Sequence, residues 1–334
     1  MGRGRRGGWL AWACALLCGV AAGRAGAQPL GADAALRPLP GVDITQALVA
    51  LTHFGATSGL SAGSFWIEPG GGQPTLRLRK LNLQAGLELP LGQRPLTLRA
   101  QGALGVLALS DPITLDGFAG APALFSPGRS VYSGRADVGL AWEPLAGLRL
   151  RPTLGLALSR LARSTEHVSG PRTRTRQLRT TSSGPLERML FLDWTAQAAS
   201  LYGALALEHE GRWDARRLRS GLTYTHGYHR SSPETQPLLA FADHTDTLDA
   251  RVQYGAPTGL LLLSRPLGWT ASASATHFFS RETEALGFDS LFGVNAGLDW
   301  HTRPGPAGAR AVGMSVGALL GGGLRGVTLS LSVR

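Results

Sequence analysis

Beyond residue 60 the chain alternates with a period of two, and this constrains the fold more than any motif it carries. From Tyr132 the even positions read Tyr132, Gly134, Ala136, Val138, Leu140 and Trp142, against Ser133, Arg135, Asp137, Gly139 and Ala141. After Glu143-Pro144-Leu145-Ala146-Gly147 the pattern resumes with Leu148, Leu150, Pro152, Leu154, Leu156 and Leu158 against Arg149, Arg151, Thr153, Gly155, Ala157 and Ser159. These two runs predict a hairpin. A helix turns about 100° per residue and would scatter every second side chain around its axis, so the period excludes helix here. The same alternation recurs from Leu96 to Ala108, from Phe292 to Trp300 and from Val327 to Val333.

Repeated alternating segments of about ten residues, separated by turn residues, are the signature of a transmembrane antiparallel β-barrel. A soluble β-sandwich also alternates. Three features favour the barrel: long strand candidates, apolar faces made mainly of Leu, Val and Ala, and aromatics near strand ends (Tyr132, Trp142, Tyr254, Trp269, Trp300). With 43% hydrophobic residues the chain has too much apolar content for a disordered protein. Past its first 30 residues, no run approaches the roughly 18 apolar residues of a membrane helix.

Residues 1–27 read as a cleaved signal peptide. Arg3, Arg5 and Arg6 precede an apolar run from Trp9 to Ala22, and Ala25-Gly26-Ala27 closes it. Both cysteines, Cys14 and Cys18, lie inside that segment, so a mature chain starting near Gln28 relies on no disulfide. Cleavage also removes Arg24 with the other three arginines and lowers the formal charge from +11 to +7. A basic balance ordinarily suggests nucleic acid, but export removes that partner. The expected location is the outer membrane of a diderm bacterium, and the expected partners are outer-membrane lipid, lipopolysaccharide and the outer-membrane assembly machinery.

Twelve strands are predicted, at 60–67, 75–89, 95–109, 131–142, 148–161, 190–210, 217–229, 247–255, 268–280, 289–301, 311–320 and 325–333. An even number returns both ends to one side and puts the three longest connections, 110–130, 162–189 and 230–246, together on the other, as barrel topology requires. Within 190–210 the apolar phase slips near Ser200, which predicts one long or bulged strand. A second slip falls at Lys80-Leu81. The chain therefore divides into the signal peptide, a segment 28–59 and a barrel over 60–334. The middle segment is a short helix threading or capping the lumen, or an extra strand.

A signal peptide followed almost at once by about 300 residues of barrel resembles the solitary outer-membrane autotransporter-like β-barrel family. The closing hairpin from Val312-Gly313-Met314 to Val327-Thr328-Leu329 and the strand Asn295-Ala296-Gly297-Leu298-Asp299-Trp300 carry the resemblance. It implies a twelve-stranded translocator barrel without an upstream passenger. The chain departs from many outer-membrane barrels in ending Ser332-Val333-Arg334 rather than in an aromatic residue.

No catalytic, cofactor or metal site is expected. A rim protease would need paired acids with an Asp-His couple, for which Asp243, His244, Asp246 and Asp249 come nearest. A phospholipase would need Ser and His in reach, for which His226 or His229 with Ser231 and Ser232 come nearest. On a strand, His209 faces away from Glu208 and Glu210, which defeats a metal motif there. Alternation instead assigns a lumen lining: Arg99, Arg135, Asp137, Arg149, Arg151, Glu208, Glu210, Arg219, Asp249, Arg251 and Asp299, together with Arg77 and Glu88. Such a lining either conducts or pairs across the lumen to close it. In the loop 162–189, Arg163, Arg172, Arg174, Arg176 and Arg179 are candidate contacts for anionic lipid. The expected function is a non-enzymatic outer-membrane barrel with a structural, surface-exposed or narrow-pore role. The alternatives are a small-solute porin and a rim hydrolase.

Overall fold

The computed structural model describes residues 62–67, 76–92, 95–110, 113–115, 123–169, 194–233, 240–279, 288–301 and 311–333. Residues 1–27, the expected signal peptide, and residues 28–59 lie outside these residues. The strands are β1 (Ala62–Ile67), β2 (Leu76–Pro90), β3 (Leu96–Ser110), β4 (Ile113–Leu115), β5 (Ala123–Leu145), β6 (Leu148–Ser169) and β7 (Trp194–Trp213), then β8 (Arg216–Pro233), β9 (Ala242–Leu262), β10 (Arg265–Phe278), β11 (Ser290–His301), β12 (Ala311–Gly321) and β13 (Leu324–Val333). Each pairs antiparallel with its sequence neighbour, except that β3 pairs with β5, while the three-residue β4 pairs with the start of β5 beyond the end of β3. The first strand pairs with the last, Ala62 opposite Leu329 and Ile67 opposite Leu324. This seam closes a twelve-stranded barrel with no free edge.

The predicted strand count holds. Tight turns at 146–147, 214–215 and 263–264 join β5 to β6, β7 to β8 and β9 to β10 at what we term the turn end. The other ends of these strands, at Ala123, Ser169, Trp194, Pro233 and Ala242, form the opposite, loop end. Leu263 and Ser264 both take positive φ, 51° and 60°, the pairing of a tight hairpin turn that usually recruits Asn-Gly.

Neither predicted irregularity is a bulge. The register of β2 on β3 runs unbroken from Arg77 to Pro90, and that of β7 on β6 and β8 is equally continuous. What changes is the chemistry of the two faces. Along β2, Leu81, Leu83, Leu87 and Leu89 point outward and are exposed, whereas Leu78 and Lys80 point inward and are buried. Along β7, Leu201, Leu205 and Leu207 point outward, while Trp194, Ala196 and Ala198 point inward. An apparent change of phase in the sequence is an inversion of polarity on a regular strand.

The outward apolar band explains why such a barrel needs a bilayer. Leu104, Leu154, Leu156, Leu158, Val294, Val316 and Leu331 all lie on the outer wall, each more than half exposed. The aromatics Trp142, Trp213, Tyr254, Trp269 and Trp300 edge the band toward the turn end, and Tyr132 and Tyr228 toward the loop end. From Trp142 to Tyr132 is ten residues, or about 33 Å of strand and some 25 Å of height at the usual tilt, which matches the apolar band of outer-membrane barrels. Tyr254 makes tilted ring contacts at 5.3 Å with Trp269 and 6.3 Å with Trp213, linking three strands of that girdle.

Candidate functional site: the lumen and the rim

The eleven residues assigned to the lumen all face inward. They concentrate in the half of the barrel toward the turn end, where the outer wall is apolar and alternation leaves the inner wall for charge. Their ion pairs follow the wall. Arg135 Nε reaches both oxygens of Asp137, at 2.9 and 3.0 Å, two residues along the same strand. Arg151 meets Glu208 at 2.7 Å between β6 and β7. Arg99 faces its register partner Glu88 at 3.8 Å and donates to Gln101 at 3.0 Å. Arg149 lies 3.7 Å from Glu143. Glu210 gathers Arg212 at 2.6 Å, Arg219 at 2.9 Å and Arg217 at 3.5 Å. Each of these pairs lies within one strand or between neighbouring strands, along the wall.

Three further contacts stiffen this lining. The Arg135 guanidinium lies 4.0 Å over the Tyr202 ring, and that ring crosses β6 at Gly155, where a Cβ would collide with both Tyr202 and Asp137. Asn295 on β11 passes over Gly317 of β12 to accept a 3.0 Å hydrogen bond from Thr328 on β13. Asp249 accepts from Thr276 at 2.6 Å. Nearby, Arg251, Gln253, Thr270, Asn295 and Asp299 line a polar cavity of about 30 Å³, room for about two waters.

Toward the loop end the lumen changes character. Phe65, Leu78, Leu107, Leu109, Val131, Leu161, Trp194, Phe241, Phe278, Phe288, Leu291, Leu319 and Leu324 form one buried apolar cluster drawn from nearly every barrel strand. Phe65 is 0% exposed, and Leu107 and Leu161 are each 1% exposed. Inward side chains this dry are packed against their neighbours at that level.

Two sequence expectations are corrected, those for Arg163 and Arg77. Arg163, a candidate lipid contact, points inward at 5% exposure, because it falls on the lumen phase of β6 beside Leu161. Arg77, expected inward, is exposed on the outer wall, and the inward cation of β2 is Lys80. The rim-protease group is divided by the wall: Asp243 and Asp249 belong to the inward set, His244 and Asp246 to the outward set. The other four candidate lipid contacts, Arg172, Arg174, Arg176 and Arg179, lie outside the described residues.

The phospholipase candidates separate in the same way. Outside, His226 contacts Asp246 at 2.8 Å, and Asp246 also accepts from Tyr224. Inside, Ser231 accepts the Phe241 amide at 2.7 Å, a structural bond. His229 contacts Ser200 Oγ at 2.7 Å and Thr245 Oγ1 at 2.9 Å. This Ser200–His229–Thr245 chain was not predicted, since its members lie on three strands and only the register brings them together. Ser200 at 4%, His229 at 3% and Thr245 at 0% exposure leave no approach for a substrate carbonyl, so the chain braces the wall. Among the described residues no group of three metal-ligating side chains occurs.

Solved structures of similar form are outer-membrane barrels. The chain resembles the translocator domain of the autotransporter NalP from Neisseria meningitidis, with a TM-score of 0.50 at 11% identity over 86% of this chain and 93% of that one. It also resembles the transport unit of the autotransporter AIDA-I from Escherichia coli, with a TM-score of 0.52 at 8% identity over 87% of this chain and 97% of that one. At such identity the likeness is one of fold. No protein-family model matches the chain, and no curated protein matches it by sequence.

Proposed function

We propose that the protein is a non-enzymatic outer-membrane β-barrel whose lumen is shut near its loop end, serving as an anchored, surface-exposed scaffold rather than an open pore. In this reading the turn end faces the periplasm and the loop end the cell exterior, the usual sense of bacterial barrels. The observation that carries it is the buried apolar cluster around Phe65, Leu107, Leu161 and Trp194. A water-filled channel at that height would leave those side chains wet, and the hydrophobic effect opposes that. Likeness in fold to two autotransporter units, a translocator domain and a transport unit, supports a barrel of this size. Two orders of charge fit the reading: a lining that pairs along the wall holds the strands, and an outward apolar band holds the barrel in lipid.

Conductance of the purified full chain in planar bilayers tests this. The expected trace is a closed baseline without steady unitary steps. Stable ion-conducting steps would overturn the closed reading in favour of the small-solute porin. Orientation has its own test: a cysteine at Ser169, at the loop end of β6, should react with a membrane-impermeant thiol reagent on intact cells.

A further inference from the structure

We infer that the hairpin joining β9 to β10 bends outward at the turn end and plants a tip of four leucines in the periplasmic leaflet of the outer membrane, an anchor separate from the barrel wall. This rests on the outer-membrane reading above. The tip reads Leu260-Leu261-Leu262-Leu263-Ser264-Arg265, and each of its leucines is at least half exposed. Tight turns ordinarily recruit Gly, Asn or Asp, and the β7–β8 turn does so with Asp214 followed by Ala215 and Arg216. A run that is apolar on both strand phases does not suit a straight barrel wall, where alternation would turn every second leucine away from lipid. The hairpin escapes that constraint by bending. Three residues of β9, Thr258, Gly259 and Leu260, stand opposite Leu267 alone, and a bulge of this kind turns its strand. Thr258 Oγ1 fixes the bulge, donating to the Leu267 carbonyl at 2.7 Å and accepting the Leu260 amide at 3.0 Å, with Gly259 at a φ of 79°.

The direction of the bend comes from Trp300. Its indole springs from the outer wall of β11, on the same phase as the exposed Val294 and Leu298. It donates to the Leu262 carbonyl at 2.9 Å, reaching across β10 to β9. A tip carbonyl within reach of an outward indole lies on the lipid side of the wall. The same bond sets the depth. Trp300 stands one pleat step from Leu298, the register partner of Trp269, and so belongs to the girdle, where indoles settle at the membrane interface. The four leucines therefore continue the apolar band. Water would leave them as a contiguous apolar patch, whereas acyl chains bury their aliphatic surface. Arg265, the one charged residue of the tip, lies cross-strand from Leu262, and its stem is long enough to carry the guanidinium back to the headgroups.

The test places the purified full chain, freed of thiols by Cys14→Ala and Cys18→Ala, in vesicles of zwitterionic phospholipid. A fluorophore is attached through Leu261→Cys at the tip, Ala215→Cys at the β7–β8 turn or Leu156→Cys in the apolar band. Two quenchers are compared, iodide on both sides of the vesicle and a nitroxide on the acyl chains. The tip label should be quenched by the nitroxide, and about tenfold less by iodide than the Ala215 label, a ratio that burial of one leucine already supplies. Iodide quenching equal to that at Ala215 would overturn the proposal, and protection from both quenchers would overturn it in favour of a second copy of the chain covering the tip. Trp300→Phe keeps an aromatic ring but loses the donor, and should raise iodide quenching at the tip by about two- to tenfold, the weight of one hydrogen bond; no change would overturn the indole as the clamp. Heat-modifiable migration reports the folded barrel, and Leu263→Cys decides where Leu261→Cys fails it. A Leu156 label that escapes the nitroxide would instead overturn the outer-membrane reading itself.

Discussion

On β2, Leu81 and Leu83 face out where Lys80 and Asn82 face in, and two residues nearer the loop end Arg77 and Arg79 face out where Leu78 faces in. On this strand the loop-end part is thus apolar within and cationic without, and the turn-end part is polar or charged within and apolar without. One strand, with one unbroken register, serves both. The difference teaches that period-two alternation reports only that a strand has two faces. Which face is apolar depends on what lies beyond it, lipid along the band and headgroup or water above it. Burial inside can invert independently, because a lumen packed at one level and wet at another asks for opposite side chains.

The largest effect should come from leaving a charge unpaired in the turn-end lumen. Asp137 is 6% exposed at its side chain and is held by both contacts from Arg135. Arg135→Ala should cost about 3–5 kcal/mol, the usual penalty for stranding one member of a buried pair, and it also removes the cover over Tyr202. Urea titration of the folded barrel in detergent, read by tryptophan fluorescence, measures it. A loss below about 1 kcal/mol, the range of exposed pairs, would show that water reaches Asp137 and that the lining is solvated throughout.

Next in size is the test of the outer wall. Leu156 is 61% exposed within the apolar band, and Leu156→Arg should cost about 2–4 kcal/mol in a bilayer, whereas Gln197→Arg, outward near the loop end, should cost about 0–1. Folding yield into lipid vesicles compares them, and equal yields would erase the boundary between the two regions. Thr153→Arg is the inward control. Gly139 cannot serve, because a Cβ there meets the Pro152 carbonyl and the Thr153 side chain.

How much of this was legible in the sequence follows from the same boundary. The inward direction of Arg99, Arg135, Asp137, Glu208 and Asp299 could be read from alternation because their outward neighbours sit in lipid and are uniformly apolar. Arg77 departs from expectation because the rule "charged means inward" fails where the outer wall is no longer in hydrocarbon, and Arg163 because β6 continues to Ser169, past the expected strand end at 161, and carries it on the inward phase. The supposed slips at Lys80 and Ser200 mark that change, and two long alternating runs of opposite sign could have revealed it. Ser200, His229 and Thr245 had no such signal: they are 29 and 16 residues apart, and their meeting depends on the register of β7, β8 and β9.

That hydrogen-bonded chain sits just below the apolar cluster and gives an intermediate effect. Ser200→Ala leaves one ring nitrogen of buried His229 without its partner, and should cost about 1–3 kcal/mol. Thermal unfolding with Ala199→Ser as the outward counterpart, expected near zero, checks it. An effect as small at Ser200 as at Ala199 would mean that water replaces the serine hydroxyl and that the dry zone ends above it.

The smallest effect lies at the turn-end mouth, where the lumen meets water. Glu210 has three arginine partners, of which Arg212 is 65% exposed at its side chain although only 2.6 Å away. Arg212→Ala should cost no more than about 1 kcal/mol, since an exposed pair gains little Coulomb energy and loses side-chain entropy in forming. Arg219, opposite Glu210 in register and 2.9 Å away, remains to hold the carboxylate. Salt should separate this mouth from the interior: raising ionic strength from 0.1 to 1 M shortens the screening length from about 10 Å to about 3 Å, which should remove the Arg212 effect and leave most of the Arg135 effect. If both fade together, the charged lining is one continuous aqueous surface from the mouth to Asp137. If Arg212 resists salt as Arg135 does, the dry interior extends to the turn-end rim, and the division between a wet mouth and a dry interior would have to move to the end of β7.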